Sequence, residues 1–273
     1  MQSKRAAGRL LVEQLRIHGA DMAFTVPGES FLPVLDGFHE ARESIKLIVC
    51  RHEAGAANMA EAYGKLTNRP GLCFVTRGPG ATHAAVGVHT AFQDSTPMVL
   101  FVGDVASDQR DREAFQELDY RQMFGPGTLG LAKWVGEVHD ADRLPEYVAR
   151  AFHTATQGRP GPVVLVLPED MLTQTVDAEP LPRVEPVQAW SDPGALREAW
   201  RGKWLVGLAT GLALAGGAEQ KDVHLVVVDK EFVHVGAVAE GRHRVAEVVG
   251  AVAVFRQPFP ARPHFHQGLV QRQ

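Results

Sequence analysis

From residue 5 to about residue 170 the chain alternates short apolar runs with helix-like stretches, and this alternation constrains the fold more than any other feature. Met22 to Val26, Lys46 to Cys50, Leu72 to Thr76, Met98 to Gly103 and Val163 to Leu167 are brief and mostly apolar. They lack the strict polar alternation of a strand with one wet face. Strands of this kind suit a parallel sheet covered by helices on both faces. Between them, Arg5 to His18 places apolar residues at helical spacing and stops at Gly19, a residue suited to a C-cap. Ser30 is placed to cap a helix running through His39. Further helices are expected over His52 to Lys65, from the Arg77-Gly78-Pro79-Gly80 turn to about Gln93, and over Asp142 to Thr156. The pattern predicts an α/β fold, a doubly wound, mostly parallel sheet flanked by helices.

The alternation dissolves near residue 178. Pro180, Pro182, Pro186 and Pro193 punctuate the next stretch, which reads as a linker over 178–193 between a domain at 1–177 and a poorly defined segment at 194–273. Within that last segment Val223 to Asp229 and Val245 to Phe255 are strand candidates. The apolar stretch Leu205 to Ala218 is short of the about 20 residues a membrane helix needs. A net charge of −4 with no basic run argues against nucleic acid and anionic membrane as partners. Cys50 and Cys73 lie in apolar runs without metal-ligand spacing and read as buried thiols of a reducing, cytoplasmic protein, and the N-terminus lacks the pattern of a signal peptide.

Three segments carry chemistry-bearing residues. In Arg51-His52-Glu53-Ala54-Gly55-Ala56 the His-Glu pair lacks the second histidine of a zinc-protease helix, because Ala56 stands four residues after His52, so no metal is expected. What remains is a carboxylate at the carboxyl end of a strand, followed by small residues. It suits either a ligand crevice or simple complementation of a helix dipole. The Thr76-Arg77-Gly78-Pro79-Gly80-Ala81-Thr82-His83 segment runs from strand to helix through a glycine turn, with Asp104 after the next strand. A dinucleotide-binding reading uses Gly78, Gly80 and Asp104, but His83 replaces the third glycine and Pro79 removes an amide. Ala114-Phe115-Gln116-Glu117-Leu118-Asp119 reads, on pattern alone, as an exposed helix with one buried aromatic. His264 and His266 offer two metal ligands without a third.

In order, Phe24-Thr25-Val26-Pro27-Gly28-Glu29, the Glu53 and Gly78 segments, Asp94-Ser95-Thr96-Pro97-Met98, Ala114 to Glu117, Lys133-Trp134 and Gly158-Arg159-Pro160-Gly161-Pro162-Val163 form a set. Together they make residues 5 to 175 resemble the N-terminal pyrimidine-binding domain of thiamine-diphosphate-dependent enzymes of the acetolactate synthase type. The resemblance implies that Glu53 bonds N1′ of the cofactor's aminopyrimidine and so drives formation of the ylid nucleophile, in the decarboxylation of a small 2-oxo acid or a carboligation. It implies that Pro27, Gly28, Thr76 and Pro79 line the pyrimidine pocket and that His83 and Asp104 approach the cofactor or substrate. His83 stands where asparagine is frequent and Asp104 where glutamine is. Phe115 and Gln116 would lie at the mouth of a dimer-related active site.

The resemblance also implies a further domain that binds the diphosphate through Mg2+ at a Gly-Asp-Gly motif, and that motif occurs nowhere in the sequence. The expectation is a chain inactive alone, either a truncated product, a subunit completed by a chain carrying the diphosphate domain, or a domain kept for binding. Residues 194–273 are then a truncated or aberrant remnant of a middle domain. A dinucleotide-binding module and a non-catalytic dimerisation domain are the alternatives.

Overall fold

The computed structural model describes residues 4–127, 130–185 and 192, together with the backbone of four strands between 213 and 249. The chain forms two compact units, Met1–Ala189 and Trp190–Gln273.

The first unit is built on six parallel strands: β2 (Met22–Thr25), β3 (Lys46–Val49), β4 (Gly71–Val75), β5 (Met98–Asp104), β6 (Trp134–Glu137) and β7 (Pro162–Pro168). Their order across the sheet is β3-β2-β4-β5-β7-β6. A two-residue antiparallel pair, β1 (Arg5–Ala6) with β8 (Thr175–Val176), joins the residues before α1 to those after α7. The helices are α1 (Ala7–Ile17), α2 (Leu32–Glu40), α3 (Glu53–Thr67), α4 (Pro79–Gln93), α5 (Tyr120–Phe124), α6 (Leu144–Thr156) and α7 (Glu169–Thr173). The α/β fold expected from the sequence is the one observed.

Alternate residues of the central strands feed two cores. Leu72, Phe74, Val99, Phe101, Val163 and Leu165 pack with α1, α2 and α6. Cys73, Val75, Leu100, Val102, Val164 and Val166 pack with α3 and α4. Phe74 anchors the first core, stacked on Phe101 with ring centroids 4.3 Å apart and edge-on to Phe38 at 5.2 Å. Pairs of this kind add about 0.5–1.5 kcal/mol each beyond their burial. The second core is made thin by small residues. A Cβ at Gly87 would stand 2.6 Å from the Ala57 Cβ, so α4 lies against α3 at a separation that only glycine permits.

Three local expectations change. Ser30 does not cap α2. It sits in a short 3-10 turn, Glu29–Phe31, and its buried hydroxyl lies 2.9 Å from Thr76 Oγ1. Residues 114–119 form a loop rather than a helix, and Phe115 is 75% exposed instead of buried. The loop is shaped by the Glu117 carboxylate, which accepts the Asp111 and Ala114 amides at 2.6 and 3.0 Å and is held below the usual carboxylate range by those bonds. Asp111, Glu113 and Gln116 all adopt positive φ within this stretch. Of the two cysteines, both free, Cys73 is buried and Cys50 only partly so.

Residues 178–185 have neither helix nor strand, in keeping with their prolines, yet they are fastened to α1. Gln14 donates to the Leu181 carbonyl at 2.9 Å and accepts the Leu181 amide at 2.7 Å. The Val184 amide donates to His18 Nδ1 at 3.3 Å.

The second unit contains an antiparallel sheet ordered β12-β11-β10-β9, from β9 (Ala213–Leu214), β10 (Val223–Val228), β11 (Phe232–Ala239) and β12 (Arg242–Val249). The strand expected from Val223 is present, and that expected from Val245 overlaps β12. Most of Leu205 to Ala218, residues 250–255, His264 and His266 lie outside the described residues. Among the described residues no helix is long and apolar enough to cross a membrane.

Candidate functional site

The connection from β2 runs to β3 on one side, whereas the chain proceeds from β4 to β5 on the other. The crevice beyond the carboxyl ends of β2 and β4 is therefore a topological switch point, where open α/β sheets bind ligands. Pro27 and Gly28 follow β2, and Thr76 to Pro79 follow β4. The two segments touch: a Cβ at Gly28 would lie 2.5 Å from that of Thr76. Arg77, nearly buried, ties the crevice to both sides through Glu29 at 2.7 Å and Glu169 at 3.1 Å.

Gly78 starts α4 with φ 50° and ψ −104°, and a side chain there would meet the Gln116 carbonyl at 2.6 Å. Its amide donates to the buried Tyr120 hydroxyl at 3.0 Å. Gln116 is thus placed against the glycine turn, while the neighbouring Phe115 ring is in solvent. Asp104, at the end of β5, is fully buried and paired with Arg110, so its carboxylate is not presented to the crevice as a ribose ligand would be. Burial pushes its carboxyl above the usual range, against the pull of Arg110 and Tyr120. Burial and the facing Asp104 push the Tyr120 hydroxyl up as well.

Glu53 begins α3 immediately after β3. The preceding residue, His52, caps the helix by accepting the Ala54 amide on Nδ1 at 3.1 Å. The Glu53 side chain is 14% exposed. Its Oε2 lies 3.1 Å from Nδ1 of His83, which α4 presents one turn after Pro79. Oε1 takes part in none of the described hydrogen bonds. A Cβ at Gly55 would meet nothing within 4 Å, whereas Ala56 and Ala57 are buried, so the first turn of α3 has one open side and one packed side.

The structure therefore forms two neighbouring groups, joined by α4. Gly28, Thr76, Gly78 and Gln116 surround the switch point, and Glu53 and His83 meet across α3 and α4. Sequence reasoning missed Tyr120, whose only signal is Asp119 capping a short helix through the Gln122 amide. It also missed Glu29 and Glu169, which hold Arg77 and carry no local signal. The spacing argument against a metal covered one helix alone. Packing adds His83 to His52 and Glu53 and brings one ligand atom of each within 4.8 Å of the others.

This parallel sheet, with a glycine turn at its switch point and a carboxylate at the start of α3, agrees with comparison to known proteins. Residues 5–123 match the family described as thiamine pyrophosphate enzyme, N-terminal TPP binding domain, which supports an N-terminal domain of that kind. The relatives this chain is similar to include acetolactate synthases. The chain is 40% identical over 197 residues to the acetolactate synthase of Arthrospira platensis, covering 71% of this chain and 32% of that protein. It is 42% identical over 163 residues to the acetolactate synthase large subunit of Parasynechococcus marenigrum, covering 59% and 26%. With the isozyme 2 large subunit of Escherichia coli it shares 36% over 170 residues, covering 62% and 30%. The chain thus spans between about a quarter and a third of the length of these relatives.

Proposed function

We propose that the first unit holds the aminopyrimidine end of thiamine diphosphate in an acetolactate synthase-like carboligase or 2-oxo acid decarboxylase, with Glu53 as the residue that shares a proton with N1′. The observation that carries this reading is the Glu53 carboxylate itself. It is largely removed from water, held through one oxygen by His83, and has its other oxygen in none of the described hydrogen bonds. These residues fit a nitrogen-bearing ring, since the largely buried carboxylate keeps one oxygen outside the described hydrogen bonds to share a proton with a ring nitrogen.

When bound, thiamine diphosphate supplies the carbon nucleophile and the electron sink for the reaction. The chain orients the ring. Pro27, Gly28, Thr76 and Pro79 wall the crevice, with Arg77 and Tyr120 fixing the backbone that shapes it. Gln116 packs on the glycine turn, and Phe115 is free to meet a partner at the site mouth. Asp104 acts from behind, through Tyr120 and Gly78. His83 keeps Glu53 in place.

The diphosphate and its Mg2+ would be held by a domain with the Gly-Asp-Gly motif that these 273 residues lack, so they are inactive by themselves and work with a second copy or a complementary chain, with residues 194–273 the remnant of a middle domain. Exposed Met59, Leu66 and Val86 on α3 and α4 favour pairing through that layer. Two free thiols accord with a cytoplasmic setting.

The decisive experiment supplies a complementary chain carrying the diphosphate domain and measures turnover of pyruvate. Glu53→Gln should lower turnover by roughly 100-fold or more, in the range for loss of a general acid–base group. Unchanged turnover removes Glu53 from its role, and turnover by the chain unaided removes the claim of inactivity. Calorimetric titration should show binding of thiamine diphosphate and none of NAD; NAD binding abolished by Asp104→Ala would establish the dinucleotide reading instead.

A further inference from the structure

His52, Glu53 and His83 form a group of a kind distinct from a cofactor pocket. Two imidazoles and one carboxylate each bring a ligand atom to within 4.8 Å of the other two. The rings of His52 and His83 lie 4.6 Å apart, tilted by 35°, and both residues are exposed, whereas the Glu53 carboxylate is largely buried. The residues come from the starts of α3 and α4, which pack directly on one another, so their spacing is set by rigid elements rather than by a loop.

We propose that this group binds one divalent ion of the zinc class, Zn2+, Co2+, Ni2+ or Cu2+, when no ligand occupies Glu53. Two histidines and one carboxylate with an open side are the donor set that takes Zn2+ with water in the fourth position, while Mg2+ and Ca2+ favour oxygen donors. Ligand atoms about 2.0–2.2 Å from a tetrahedral ion stand roughly 3.5 Å apart. Glu53 and His83, 3.1 Å apart, are already near that spacing, and rotation of the exposed His52 side chain closes the remainder.

Two rearrangements accompany capture. The proton between His83 Nδ1 and Glu53 moves to Nε2 of His83 or to solvent, leaving Nδ1 free to ligate. His52 uses Nδ1 to accept the Ala54 amide, so its other nitrogen carries the proton; ligation requires that this cap be released. Loss of one such cap weakens binding by about fivefold, small beside the contribution of three ligands.

An ion at this position and an aminopyrimidine at Glu53 exclude one another. That consequence rests on the proposed function, whereas the metal site itself does not.

The test is calorimetric titration of Zn2+ into the full chain, free of cofactor and of any histidine tag. One site of micromolar affinity is expected, with His83→Asn and His52→Asn each weakening it tenfold or more while leaving the circular dichroism spectrum unchanged. His264 and His266 are the obvious competitors, so the double variant His264→Ala, His266→Ala should bind as the parent does. Absence of binding, binding indifferent to both asparagine variants, or binding lost in the tail variant each overturns the proposal. Failure of thiamine diphosphate to bind would leave the zinc result standing, so the two readings fail separately.

Discussion

Acid should loosen the first unit through His18. This residue, 6% exposed at the end of α1, packs on Phe152 with ring centroids 4.7 Å apart. Both ring nitrogens face N–H groups: Val184 N lies 3.3 Å from Nδ1 and Gln14 Nε2 lies 3.2 Å from Nε2. A neutral ring can accept at one nitrogen only, and a protonated ring at neither. Burial first, and then the charge of Arg183, lower its pKa from 6.5 to about 4. The folded state therefore stays neutral while the unfolded chain takes up a proton. Above the unfolded value the residue costs nothing, and stability is lost as the pH falls from about 6.5 to about 4. With a spacing of 2.5 units the loss approaches ~3 kcal/mol in full and is ~2 kcal/mol at about pH 5. Urea unfolding followed by circular dichroism at about pH 7.5 and pH 5 should show this decrement in the parent and not in His18→Gln. Nuclear magnetic resonance should place the His18 titration near 4. An equal pH response in parent and variant, or titration near 6.5, refutes the reasoning.

Other expectations follow from single contacts. Tyr120→Phe strips the buried Gly78 amide of its acceptor and should cost about 1–3 kcal/mol in urea unfolding. Gly87→Ala forces a Cβ to within 2.6 Å of Ala57 and should destabilise by about 1–3 kcal/mol; an unchanged melting temperature would show that α3 and α4 separate freely. Burial pushes the Cys73 thiol up, so a soluble disulfide reagent should label Cys50 in the native protein and reach Cys73 only after denaturation.

The central sheet was legible because strands buried on both faces are short apolar runs, and Met98–Asp104 differs from its expectation by one residue. Strand β6 was not, since Trp134–Glu137 is a four-residue edge strand that ends on a charge. The 114–119 loop was misjudged because a helical pattern cannot reveal that Glu117 captures two amides of its own loop. Ser30 was misjudged because its partner, Thr76, lies 46 residues further along the chain. Glu53 could be singled out from its place after a strand and before small residues. Its meeting with His83, 30 positions away, depends on how closely α3 and α4 pack, which no local pattern encodes. Likewise the prolines after residue 178 revealed the lack of secondary structure, but not the grip of Gln14 and His18 on that stretch.

The pairing of β1 with β8 sets how the first unit would respond to tension. Arg5 lies opposite Val176 and Ala6 opposite Thr175, so the chain enters and leaves side by side, the partners about 5 Å apart. A pull applied through residues 4 and 177 loads that outermost pair first and peels the ladder one rung at a time, before any force reaches the parallel sheet. The two-residue clasp is a mechanical fuse. Because it holds residues 4 and 177 at one spot, the segment between them could be spliced into a loop of another protein with little displacement of its host, at the cost of the bonds that Gln14 and His18 make to Leu181 and Val184.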